Sequence, residues 1–432
     1  MAGHLPRAVR HVNDYVHRLL PPEQVLGLCA QVGHRFRRRT LGPAETVLLC
    51  VVMVLRANAS LAAARVGAAA TFSAAALCKA RARLPLALLE AVARCVAERG
   101  GVRPDGPPRV LLVDACNYYL PDARVLRRHY RHPRQKRPGS RRCDYPQVRV
   151  LGCFDLHTGL LLGQLDFPSD RHESPLLGVL LARLLASCVV RPGDTLVFDR
   201  GFCSFANFCL LRSHGVHFVA RLPATLCAKA SGRRRFVRAR GGRGKRGLGG
   251  AVVWDKPARR PGGVGVRAWR RLPASLEGLR QLDVRVGRGR SRGRLVLLTD
   301  LSHAAARQLA EWYRRRWEVE TNFRHLKRTL DLEFFTTRSV EAVRRELLLR
   351  QVAYNLVRLV MLRAARGHHV ACGRIGFADA IQVLLHGDAA SVLRLLRPTP
   401  ARQRTPRPRR LKYRGKNYRR LTKRPVPQRK VA

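Results

Sequence analysis

Apolar positions recur at helical spacing through the first hundred or so residues. Glu45–Arg56, Ala74–Arg83 and Leu86–Glu98 each carry them, and strand signals are few, so residues 1–105 are expected to be all-α. From residue 106 the pattern changes. Val110–Val113 is a short apolar run ending on Asp114, and Thr195–Phe198 is another ending on Asp199. Between them, Gln147–Phe154 and Leu160–Phe167 flank a His-Thr-Gly turn and read as a β-hairpin, with a helix expected over Glu173–Ala186. A helix over Ser204–Ser213 and a strand over Val216–Arg221 follow. Three strands, helix, strand, helix, strand is an α/β order. Residues 222–294 are Gly- and Arg-rich, with short strand-like pieces such as Ala251–Trp254 and Leu282–Val286, and read as a β-rich insertion. Leu295–Thr299 returns to an apolar strand, and long helices are expected at 303–330 and 339–364.

This pattern divides the chain into a helical front (1–105), a first core segment (106–221), the insertion (222–294), a second core segment with C-terminal helices (295–397) and a tail (398–432). The tail has fourteen Lys or Arg and no acid between Ala401 and Lys430, and reads as a disordered basic arm. Within the front, Leu61–Leu84 resembles a helix-turn-helix whose second helix ends in Lys79, Arg81 and Arg83. Plain packing of Ala-rich helices is the alternative there.

Charge narrows the partner. The chain carries 84 Lys and Arg against 28 Asp and Glu, a formal net charge of +56, yet 46% of it is hydrophobic. A folded protein with that imbalance needs a polyanion, and DNA is expected. Only 6% of residues are aromatic, few for the stacking platforms of an RNA binder. The twelve cysteines include no Cys-x-x-Cys pair and read as reduced thiols. The longest apolar run, Val47–Leu55, is far short of the roughly 20 residues a membrane span needs. A cytoplasmic, nucleoid-associated protein is expected.

In a chain so poor in acids, the strand-end carboxylates stand out. If the two strands are neighbours, Asp114 and Asp199 share one sheet edge, where two unpaired carboxylates call for a hard divalent cation. A third acid lies in the stretch from Glu311 to Leu330. At about 100° per residue, Tyr313, Arg316, Glu320 and Lys327 fall within one face about 60° wide. Trp312, Val319, Phe323, Leu326 and Leu330 form an adjacent apolar stripe. A salt-bridged surface stripe would explain the charges, but not a lone acid set between cations beside a tyrosine. Asp155, Asp166, Asp170 and Glu173 are read as structural, and His157, His172 and His217 form no ligand pair.

The spacing Tyr313-x2-Arg316-x3-Glu320-x6-Lys327 resembles the Y-(2)-R-(3)-E-(6)-K pattern of DDE transposases of insertion-sequence family four. The second block of that family is similar to the stretch around Asp199, Arg200 and Phe202, and the first to the stretch around Asp114. Family members often carry Gly after the first Asp, where this chain has Ala115 and Cys116. The resemblance implies a ribonuclease-H-like mixed sheet holding two Mg2+ or Mn2+ on Asp114, Asp199 and Glu320. It implies cleavage at transposon ends and strand transfer into target DNA, with a hairpin route for the second strand. Arg316, Lys327 and Arg200 would hold DNA phosphates and Tyr313 the strand end. Trp254 in the insertion is the candidate to stack on a flipped base. Terminal inverted repeats and target DNA are the implied partners, bound by at least a dimer. The competing readings are a two-metal nuclease on the same core and an inactive or repurposed DNA-binding protein.

Overall fold

The computed structural model describes residues 14–400 except 38, 62, 64–71, 103–104, 134–144, 224–236, 240–249 and 287–292. The basic tail from 401, and much of the first half of the Leu61–Leu84 motif, lie outside the described residues.

The front supplies α1 (Asp14–Leu19), α2 (Pro22–Gln31), α3 (Pro43–Leu55), α4 (Ala74–Arg83) and α5 (Leu86–Arg99). The expected helices over 45–56, 74–83 and 86–98 are all present. Ser73 starts α4 by accepting the Ala76 N–H. The run PAETVLLCVVMVL makes α3 apolar on nearly every side, and a helix of that kind must be covered all round. Its cover comes from both ends of the chain: α2 and α4 on one hand, and α12 (Val340–Gly367) and α13 (Phe377–His386) on the other. The helical front, the sheet and the C-terminal helices share one apolar cluster.

The sheet is mixed. Its strands are β1 (Val110–Tyr119), β2 (Gln147–Asp155), β3 (Leu161–Pro168), β4 (Thr195–Phe198), β5 (His217–Arg221), β6 (Val237–Ala239), β7 (Gly250–Asp255), β8 (Ser275–Val286) and β9 (Gly293–Thr299). The order is β3-β2-β1-β4-β5-β9-β8-β7-β6. Strands β1, β2 and β3 form an antiparallel meander, while β4 runs parallel to β1 and β5 parallel to β4. The insertion strands do not make a sheet of their own; they extend this one antiparallel from β5 through β9.

Helices cover both faces. Gly163 and Gln164 are adjacent on β3 and so point to opposite faces. A Cβ on Gly163 would strike Leu184 of α7 (Ser174–Ala186), whereas the Gln164 side chain donates to the Leu347 carbonyl of α12 at 2.8 Å. Edge strand β3 is closed by α12, whose Gln351 and Asn355 amides bond the Leu161 backbone at 2.9 Å. The hairpin turn is set by Asp155, which accepts from the His157 and Thr158 N–H groups, and by Gly159 at φ +69°. Asp166 is held by Tyr130 and Arg344, and Asp170 by Arg131. These three acids have the structural roles their positions suggested.

Two expectations need correction. The strand through Val110–Val113 does not stop at Asp114; pairing with β2 carries it to Tyr119, and no turn forms at Ala115 and Cys116. The segment 303–330 is not one helix. It is α10 (Ala306–Arg315) and α11 (Trp317–Arg324), separated at Arg316, and then a π-helical turn over His325–Thr329. No helix among the described residues is long and apolar enough to cross a membrane.

Candidate active site

The parallel pairing of β1 with β4 ends at Leu112 opposite Val197. Continuing that register by two residues sets Asp114 beside Asp199, where β4 has ended and the chain turns into Arg200–Phe202. The two carboxylates therefore share one sheet edge, as expected of neighbouring strands. The α10–α11 segment then crosses that edge. The Tyr313 hydroxyl donates to Asp199 Oδ1 at 3.1 Å. Arg316 Nη1 reaches Asp114 Oδ2 at 3.1 Å, and its Nη2 reaches Glu320 Oε1 at 3.4 Å. One tyrosine and one arginine thus link three acids that are distant in sequence.

Burial shapes their chemistry. The Asp114 carboxyl is pushed up to about 6, chiefly by burial; the Ala115 N–H and Arg316 oppose this, and the charges of Glu173 and Glu320 add to it. Burial, then the Asp199 charge, pushes the Tyr313 hydroxyl up to about 12, so it remains a proton donor at neutral pH. Lys327 lies in the π-helical turn. Its ammonium lies 5.4 Å from the Tyr118 ring centroid, and its charge opposes the upward push that burial gives the Cys116 thiol, on the strand that carries Asp114. Arg200 is exposed immediately after Asp199.

Trp254 is not at this site. It is 2% exposed and packs against Phe205 and Phe208, locking the insertion onto the core. Trp269 is likewise buried. The exposed tryptophan is Trp317, at 60%, with the Arg316 guanidinium 5.2 Å from its ring centroid. The helical wheel held a signal for it. Trp317 falls at about 40° from Tyr313, well off the apolar stripe. Glu173 was also undervalued: it starts α7 as expected, but its charge acts on Asp114.

Three carboxylates facing one edge suit a hard divalent cation. Among the described residues, however, no three acidic, His or Cys side chains are gathered closely enough to cage an ion. Arg316 stands between two of the acids.

Residues 105–356, more than half of the chain, match the family described as transposase DDE domain. The chain belongs to the DDE transposase family. A putative transposase, y4zB, of Sinorhizobium fredii (strain NBRC 101917 / NGR234) is 26% identical over 228 residues. That match covers 53% of this chain and 58% of the relative. The fold of a piggyBac transposase synaptic complex with hairpin DNA aligns over 86% of this chain and 77% of that one, at a TM-score of 0.40 and 12% identity. A likeness that distant places no residue in this DDE domain. Asp114, Asp199 and Glu320 all fall inside the matched segment.

Proposed function

We propose that the protein is a DNA transposase of insertion-sequence family four whose catalytic acids are Asp114, Asp199 and Glu320. The observation that carries this reading is the pair of side chains, Tyr313 and Arg316, that ties all three acids together at one edge of the sheet. The strand order β3-β2-β1-β4-β5 supports a ribonuclease-H-like core beneath them.

The three acids would hold two Mg2+ or Mn2+, which supply charge for the attacking and leaving oxygens of phosphoryl transfer. In the first step water attacks the phosphodiester at the element end; a new P–O bond forms and the bond to the 3′ oxygen breaks, leaving a 3′-OH. In the second, that 3′-OH attacks a target phosphodiester in the same way, directly or after a hairpin on the opposite strand. Arg316, Lys327 and Arg200 hold the flanking phosphates, and Tyr313 positions the strand end. Trp317 replaces Trp254 as the aromatic able to stack on an unpaired base. Terminal-repeat DNA would run toward the helical front. There His34, Arg35, Phe36, Arg37 and Arg39 line a groove of about 250 Å3 together with Arg83 at the end of α4. Cutting both ends together would take at least a dimer.

The test is Glu320→Gln against wild type on labelled element-end DNA with Mg2+, Mn2+ or EDTA. Wild type should nick and join in either metal and do neither in EDTA, while the variant binds DNA equally and does neither. A variant that cuts like wild type removes this active site. A wild type that binds and never cuts makes the protein a repurposed DNA binder.

A further inference from the structure

Arg316 occupies the junction between α10 and α11 and is 4% exposed. Its two terminal nitrogens serve two different carboxylates, and the contacts differ. The bond to Asp114 is 3.1 Å, whereas that to Glu320 is 3.4 Å, and the Glu320 side chain is 48% exposed. Glu320 is thus the loosely held, solvent-facing arm. The guanidinium is flanked by the Tyr313 ring at 5.8 Å and the Trp317 ring at 5.2 Å, and its Nε is buried with no acceptor.

A Mg2+-sized ion needs carboxylate oxygens at roughly 2.0–2.1 Å. A fixed guanidinium on those same oxygens both blocks them and repels the ion. A phosphate is the natural competitor for the guanidinium, because it accepts parallel N–H bonds from the Arg fork and has a charge-assisted partner to offer in return.

We propose that Arg316 is an internal counter-ion latch: in the free protein it ties Asp114 to Glu320, and a DNA phosphate must take its guanidinium before those carboxylates can bind a divalent cation. The latch rests on the reading of Asp114, Asp199 and Glu320 as the metal-binding set. It makes cation loading conditional on DNA, so the cutting site is assembled only on its substrate. By linkage, the cation strengthens DNA binding by the same factor that DNA strengthens cation binding.

The test is a Mn2+ titration of the full chain followed by electron paramagnetic resonance, with and without a short random-sequence duplex, the ion bound by the duplex alone being subtracted. Wild type should bind Mn2+ about ten- to hundredfold more tightly with DNA, the scale of a charge-assisted hydrogen bond that no longer has to be broken. Arg316→Gln should bind Mn2+ tightly without DNA and gain nothing from it. Arg316→Lys, which keeps the charge and loses the fork, should fall between. Equal wild-type affinity with and without the duplex overturns the latch, and that comparison needs no substitution. A folded Arg316→Gln variant that binds Mn2+ no more tightly than free wild type overturns it too. Asp114→Asn separates the two layers: Mn2+ binding that survives this change removes the metal-binding set itself, whereas loss of binding leaves that set standing whatever becomes of the latch.

Discussion

Two arginines in the C-terminal helical region share one local arrangement and differ in what surrounds it. Arg316 pairs with Glu320 and Arg350 pairs with Glu346, each across one helical turn. Both guanidinium groups are buried, both lie against aromatic rings, and both leave Nε without an acceptor. The difference lies in the partners. Glu346 is almost fully buried, and Arg350 also donates to the Leu332 and Phe334 carbonyls at 2.6 and 3.3 Å while stacking on Phe335 at 3.6 Å. Arg316 is paired with two carboxylates, one of them half in solvent. The Arg350–Glu346 pair is sealed and holds the fold around the end of β1. The Arg316 pair is the one we propose to be exchangeable, its carboxylate oxygens going to a cation and its guanidinium to a phosphate. An ion pair's role is set by the exposure and chemistry of its neighbours, not by its residue types.

Substitutions at the two pairs should separate activity from stability. The largest effect is expected from Asp199→Asn, which should lower end cleavage by on the order of a thousandfold or more, because several kcal/mol of transition-state stabilisation are lost. Its melting temperature should stay near wild type; a large drop would place Asp199 among the structural acids. Arg350→Met should do the reverse. It strands Glu346 and two carbonyls, and denaturant titration should show about 3–5 kcal/mol of lost stability. A loss under about 1 kcal/mol would mean the pair is not sealed.

A third change tests the π-helical turn between the two regions. His325 stacks on Phe377 at 4.3 Å, and burial, with Arg358 and Arg324 nearby, pulls its pKa down to about 4. A depressed histidine favours the folded state in its neutral form. Its contribution is complete above about 6.5 and is lost as pH falls toward 4. Over that window wild type should lose on the order of 2–3 kcal/mol more stability than His325→Phe. Parallel pH profiles for the two proteins would contradict this. The smallest effect is expected from Tyr313→Phe. It removes one hydrogen bond to Asp199, about 1 kcal/mol, so cleavage should slow up to about tenfold with stability unchanged.

Much of the site was legible because its signals are local. Short apolar runs ending in Asp114 and Asp199 marked two strands, and the spacing from Tyr313 to Lys327 marked a polar helix face. What the sequence hid depends on contacts from elsewhere. Cys116 and Asn117 are poor strand signals, yet β1 runs through them because β2 pairs alongside. The residues His325–Thr329 contain no helix breaker, so a π-helical turn there had no local mark. Trp254 sits in a strand whose alternation does not say which face is covered; only the placement of Phe205 and Phe208 does. The packing of the helical front was hidden in the same way. The all-round apolarity of α3 was visible, but not that α12 and α13 would pack against it.

The central claim is that Asp114, Asp199 and Glu320 converge on one divalent-cation site. Its most direct test is cleavage of the protein backbone by Fe2+ bound in place of Mg2+, with ascorbate and peroxide, in the complex with DNA. The account predicts cuts close to all three residues, and their joint disappearance in Asp114→Asn. Cuts confined to one of the three, or cuts elsewhere that Asp114→Asn leaves unchanged, would contradict it.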